Sequence, residues 1–102
     1  MEECCCHKTK ERTEEEYKRL IHRLNRIEGQ IRGIRGMIES DAYCTDVLVQ
    51  SAAVNAAVNA FNKELIGQHV RGCVRRDIQN KTEEEAEAVI DDLLLTLGKL
   101  MK

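Results

Sequence analysis

Apolar side chains recur at Tyr17, Leu20, Leu24, Ile27, Ile31, Ile34 and Ile38, in steps that alternate three and four. That is the heptad rhythm of a helix that buries one seam. Thr13 followed by Glu14, Glu15 and Glu16 supplies an N-cap, an acid three residues on, and negative charge in the first turn. The helix is therefore expected to begin at Thr13. Gly29, Gly33 and Gly36 weaken it locally and are expected to let another backbone approach closely. Ser40-Asp41-Ala42-Tyr43 reads as a short turn. A second seam follows at Val47, Ser51, Val54, Val58, Phe61 and Leu65 and runs on to about Gln79. Small residues crowd it (Ala52, Ala53, Ala56, Ala57, Ala60), which permits tight helix–helix packing. Gln79-Asn80-Lys81 makes the next break. Thr82-Glu83-Glu84-Glu85 repeats the capping signature, and Val89, Ile90, Leu93, Leu94, Leu97, Leu100 and Met101 define a third, strongly apolar helix.

The pattern predicts an all-α chain: a three-helix protomer with two long antiparallel helices and a shorter third. The alternative, a monomeric three-helix bundle, requires helices of more even length. Two hairpins from two chains, packed as a four-helix-bundle dimer, cover both seams. Composition points the same way. The 102 residues include no proline, no tryptophan, one Phe and two Tyr, so helix is favoured and the core is aliphatic and thin. A thin core draws stability from self-association. Residues 1–12 read as a short Cys-rich flexible arm, and residues 13–102 as a single helical domain.

The chain carries no apolar run long enough for a membrane span and no signal-peptide pattern, so a cytoplasmic location is expected. Five cysteines in a reducing compartment are more often metal ligands or reactive thiols than disulfides. The net charge of -2 argues weakly against nucleic acid, but its distribution is uneven. Basic residues crowd the first third, from Lys8 to Arg35, and a second group runs from Lys63 to Lys81. A near-neutral chain of this kind can carry a basic face.

His69 and Cys73 stand four residues apart on the second helix, one turn apart on one face. Cys44, at the start of that helix, is the third candidate ligand. A continuous helix sets it about 37 Å from His69, so one chain cannot close the site. An antiparallel partner helix brings Cys44 of one chain beside His69 and Cys73 of the other, giving two equivalent sites per dimer. Two thiolates and an imidazole form a soft three-coordinate set that selects copper(I), with zinc as the competitor. The run Cys4-Cys5-Cys6-His7 is a possible accessory metal site, and it can also supply the fourth ligand that zinc prefers. The plain alternative is that Cys73 is a small core hydrophobe and the arm an accidental thiol cluster.

The stretch Arg23-Leu24-Asn25-Arg26-Ile27-Glu28-Gly29-Gln30-Ile31-Arg32-Gly33-Ile34 resembles the first-helix signature of the copper-sensitive operon repressors, the CsoR/RcnR family. Tyr43-Cys44 with Leu48-Val49-Gln50-Ser51-Ala52-Ala53-Val54 resembles the start of their second helix, and Gln68-His69-Val70-Arg71-Gly72-Cys73-Val74 its metal-binding end. The resemblance spans residues 15–79. It implies an all-helical dimer of dimers, a homotetramer without a helix-turn-helix, that represses transcription. Its members sense copper(I), nickel or cobalt, formaldehyde, or sulfur species. The set Cys44, His69, Cys73 matches the copper branch, which uses Tyr43 as an outer-shell group. That branch also carries an outer-shell Glu on the third helix, where the nearest acids here are Asp92 and Glu85. Arg19, Arg23 and Arg26 form one stripe of the first helix at i, i+4 and i+7, nearly free of acid. Such a stripe is ordinarily a solvated face; the resemblance makes it a phosphate-binding face for operator DNA, extended by Arg75, Arg76 and Lys18.

The expected function is thus a copper(I)-responsive repressor that holds operator DNA when metal-free and releases it on metal binding. Within the family, a persulfide- or formaldehyde-responsive repressor is the alternative. From other classes, a thiol enzyme with Cys73 activated by His69 lacks a Gly-rich loop and an acid to orient the imidazole. A helical adapter would use the apolar third helix to hold a partner. No enzymatic activity is expected.

Overall fold

The computed structural model describes residues 12–100, with Cys73, Val74, Asp77 and Ile78 described by backbone alone. Four helices follow one another: α1 (Glu14–Glu39), α2 (Cys44–His69), α3 (Arg75–Asn80) and α4 (Glu83–Leu100). A π-helical turn, Val70–Val74, links α2 to α3, so residues 44–80 form one helical run. The described backbone therefore holds three helical runs, as the periodicity predicts. The expected arm at residues 1–12 lies almost wholly outside the described residues, Cys4, Cys5, Cys6 and His7 included.

The helix ends form for local reasons. Thr13 Oγ1 accepts from the Glu16 N–H at 3.0 Å, and Glu16 Oε1 accepts from the Thr13 N–H at 3.1 Å. Thr82 and Glu85 repeat the arrangement at 3.2 and 3.0 Å. These capping boxes satisfy donors that a helix start leaves without intrahelical partners. α1 stops where Asp41 takes a left-handed φ of 59°. That turn lets the Ala42 N–H reach the Met37 carbonyl at 2.9 Å and the Asp41 N–H reach Ile38 at 3.2 Å, the paired bonds of a Schellman stop.

The described residues form two compact units, residues 12–66 and the stretch from Gly67 onward. The first is an antiparallel hairpin of α1 and α2. Its register is visible where Arg19 and Arg23, near the start of α1, meet Glu64, near the end of α2. In the second, α3 continues directly from the π turn and meets the start of α4 across the short break at Lys81-Thr82. Val89, Ile90, Leu93 and Leu97 of α4 are half-buried, while Leu94, Leu95 and Leu100 are exposed.

The hairpin divides the heptad seam of α1. Leu20 and Ile27 are buried and Ile34 is half-buried. The alternate row, spaced by seven, is open: Tyr17 57 %, Leu24 38 %, Ile31 53 % and Ile38 61 % exposed. One neighbouring helix covers one row of a two-row seam, so the expectation of a single buried stripe is met only by half. α2 is rich in apolar and small residues, yet Leu48, Val49 and Val58 are exposed. Among the described residues, no other segment makes the close approach expected at Gly29, Gly33 and Gly36. A Cβ placed on any of them meets nothing within 4 Å.

Candidate functional site

Tyr43 ends the turn and its carbonyl accepts from the N–H groups of Asp46 and Val47, at 3.0 and 3.1 Å, which starts α2 one residue later. Cys44 is the first residue of that helix, and its thiol is free and exposed. Tyr43 is 72 % exposed beside it. The left-handed turn at Asp41 thus sets a phenol and a thiol side by side at the turn end of the hairpin.

His69 is the last residue of α2 and is half-buried, next to the fully buried Gln68. The backbone then widens: the Arg75 N–H is accepted by the Val70 carbonyl five residues back, and also by Gly72. Cys73 lies within this turn; its side chain is outside the described residues. Four residues make slightly more than one α turn and slightly less than one π turn, so positions 69 and 73 stay about one turn apart either way. π turns of this kind recur at functional sites. The residues 70–74 read as ordinary helix in the sequence.

Cys44 and His69 therefore occupy opposite ends of one 26-residue helix. At 1.5 Å per residue this is about 37 Å, as the spacing predicts. Among the described residues, no group of three or more His, Cys, Asp or Glu side chains converges to hold a metal ion. The two candidate outer-shell acids differ. Glu85 has one carboxylate oxygen committed to capping α4, whereas Asp92 is exposed on the middle of α4.

The basic stripe is built by the hairpin. Ala53, Ala56, Ala57 and Ala60 leave one face of α2 shallow. Across from them Arg19, His22, Arg23, Arg26 and Gln30 of α1 line an open groove of about 680 Å³. Three guanidinium groups thus line one wall of the groove. An acid nevertheless reaches the stripe from the other helix. Glu64 enters the groove from α2, its carboxylate 3.7 Å from Arg19 and 3.9 Å from Arg23, with only 15 % of its side chain exposed. Lys18 lies outside the groove, paired with Glu14 at 3.6 Å on the exposed side of α1. Arg75 and Arg76 are exposed at the start of α3. His22 and Gln30 were not anticipated as groove residues; they share the arginine face at three- and four-residue spacing, which is the signal that could have found them.

Comparison with known proteins places this geometry. Residues 16–98 match the family model described as metal-sensitive transcriptional repressor. The chain is 40 % identical over 97 residues to the copper-sensing transcriptional repressor CsoR of Bacillus subtilis (strain 168), covering 94 % of this chain and 93 % of that protein. It is 48 % identical over 56 residues to the copper-sensing transcriptional repressor RicR of Mycobacterium tuberculosis, covering 55 % of this chain and 58 % of the relative. The crystal structure of the copper-sensing repressor CsoR with Cu(I) from Geobacillus thermodenitrificans NG80-2 superposes with a TM-score of 0.82 at 35 % identity, covering 92 % of this chain and 95 % of that one. The helical plan, the separated thiol and imidazole, and a family match that omits only the two ends have one reading: this chain belongs to the metal-sensitive transcriptional repressors.

Proposed function

We propose that this protein is a copper(I)-responsive transcriptional repressor that binds operator DNA when metal-free and dissociates when copper(I) is captured. The observation that carries the reading is the placement of Cys44 and His69 at opposite ends of α2, in a chain similar along nearly its whole length to copper-sensing repressors. The thiol-enzyme and adapter readings give way to the regulatory role of the family.

Two copies pack through the open row Tyr17, Leu24, Ile31 and Ile38 of α1 and the exposed apolar positions of α2. Their α2 helices run antiparallel, so that Cys44 of one copy stands beside His69 and Cys73 of its partner. Such dimers pair further into a homotetramer. The donor set fits the metal: two soft thiolates and an imidazole suit copper(I), and zinc, which prefers a fourth ligand, would be the weaker competitor in vitro. Copper(I), held by Cys44 of one copy and His69 and Cys73 of the other, would link the two subunits. The chain's own contribution is to release the thiol protons of Cys44 and Cys73 and to present a neutral ring nitrogen of His69. The second ring nitrogen of His69 then needs an outer-shell partner. Tyr43 and Asp92 are the groups proposed for that shell, because Glu85 is engaged as a cap. Arg19, Arg23 and Arg26, with Arg75 and Arg76, contact operator phosphates in the cytoplasm, where the protein meets DNA. Cys4, Cys5, Cys6 and His7 remain a proposed accessory metal site on sequence chemistry alone.

The test uses an operator duplex selected from a random pool by the metal-free protein. Copper(I) should weaken its binding by about 5–150-fold, the usual range of such coupling. Zinc, nickel, formaldehyde and polysulfide, added separately, should each act less. Cys44→Ala should stay on DNA when copper(I) is added. Mixing Cys44→Ala with His69→Ala chains should restore copper(I) capture, measured against a colorimetric chelator, because a mixed dimer regains one of its two sites. Normal copper-driven release by Cys44→Ala would refute the proposal.

A further inference from the structure

We infer that Glu64 is a built-in competitor of the DNA phosphates, occupying the arginine groove of the hairpin and holding down its affinity for nucleic acid. The inference rests on the proposed role of Arg19, Arg23 and Arg26 as a phosphate-binding wall.

Glu64 is the acid that lines the groove, and its carboxylate lies between two of the three arginines. It is mostly withdrawn from water, at 15 % exposure, while the Arg19 and Arg23 side chains are 58 % and 42 % exposed. A charge in that position is screened less than a surface charge. An approaching phosphate therefore meets two favourable guanidinium groups and one repelling carboxylate at the same place.

A carboxylate beside arginines can instead help binding, by holding their forks in position. The distances decide between the two roles. Positioning requires charge-assisted hydrogen bonds of about 2.7–2.9 Å, often bidentate. The contacts at 3.7 and 3.9 Å attract both guanidinium groups without engaging the hydrogen-bonding edge of either. Glu64 thus subtracts charge from the groove and leaves the arginine donors available for a phosphate. On binding, a phosphate oxygen takes the place of the carboxylate, and Glu64 must be left behind or turned aside. Its consequence is a repressor whose grip on DNA is moderate enough to be released.

The experiment uses the full chain and a labelled mixed-sequence DNA duplex, so that no operator need be known. Binding is followed by fluorescence anisotropy from low to moderate salt, with circular dichroism to verify folding. Glu64→Gln should bind about 3–30-fold tighter than the parent, with the slope of log affinity against log salt steeper by about one. Glu64→Ala, a second neutral variant that favours helix, should shift in the same direction. Arg19→Ala/Arg23→Ala should bind at least about tenfold more weakly and with a shallower slope. If the double arginine variant weakens binding but both Glu64 variants leave it unchanged or weaker, Glu64 is not a competitor and the inference is overturned. If the double arginine variant binds like the parent, the groove does not hold DNA and the underlying reading falls first.

Discussion

Ile31 sits in the middle of the open row of α1, 53 % exposed in the single chain. If two copies pack through this row, the exposed half of the side chain is buried on association. Complete burial of an Ile contributes about 1.5–3 kcal/mol, so the remaining half contributes about 1 kcal/mol. A twofold axis presents the position twice, which brings the total to about 2 kcal/mol per dimer, or roughly 30-fold in the dissociation constant. Ile31→Ala removes most of that gain. In the isolated chain the same change costs little, because half of the side chain already faces water and Ala is the better helix former. The effect should therefore be specific to association. Sedimentation equilibrium of parent and variant would show dimer dissociation shifted by about 30-fold. Thermal melts at several protein concentrations should lose stability mainly where the dimer dissociates. A dissociation constant unchanged within about twofold would refute the interface, and with it the route by which Cys44 reaches a partner's His69.

Two changes test the helix ends that frame the site. Asp41→Gly relieves a left-handed backbone that only glycine adopts freely, and should stabilise the chain by about 0.5–1 kcal/mol. The urea midpoint should rise with the slope unchanged; a lower midpoint would mean that the Asp41 carboxylate contributes more than the strain costs. Thr82→Ala removes the hydroxyl that accepts from the Glu85 N–H and should cost about 1 kcal/mol. Hydrogen exchange should speed up in the first turn of α4, and unchanged protection there would show that the cap is dispensable.

Much of the architecture was legible in the chain because its determinants are local. Thr13 and Thr82 announce their capping boxes through the acid three residues on, and both form as expected. The turn at residues 40–43 and the break before Thr82 were visible for the same reason. The four-residue spacing of His69 and Cys73, and the length that separates them from Cys44, follow from helix arithmetic without reference to packing. Three features were not legible in the sequence. Glu64 reaches Arg19 and Arg23 from the far end of α2, and no period along α1 reveals a charge brought in by another helix. The heptad seam divided into a covered row and an open row because one neighbour covers only one side of it, a matter of how many helices surround α1 rather than of its own sequence. The π turn at Val70–Val74 inserts a wider hydrogen-bond step into a run whose residues read as ordinary helix. Local rules therefore determined where each helical run begins and ends and which candidate ligands it carries. Only tertiary packing decided which charges meet and which apolar rows are left open, since those depend on residues distant in the chain becoming neighbours in space.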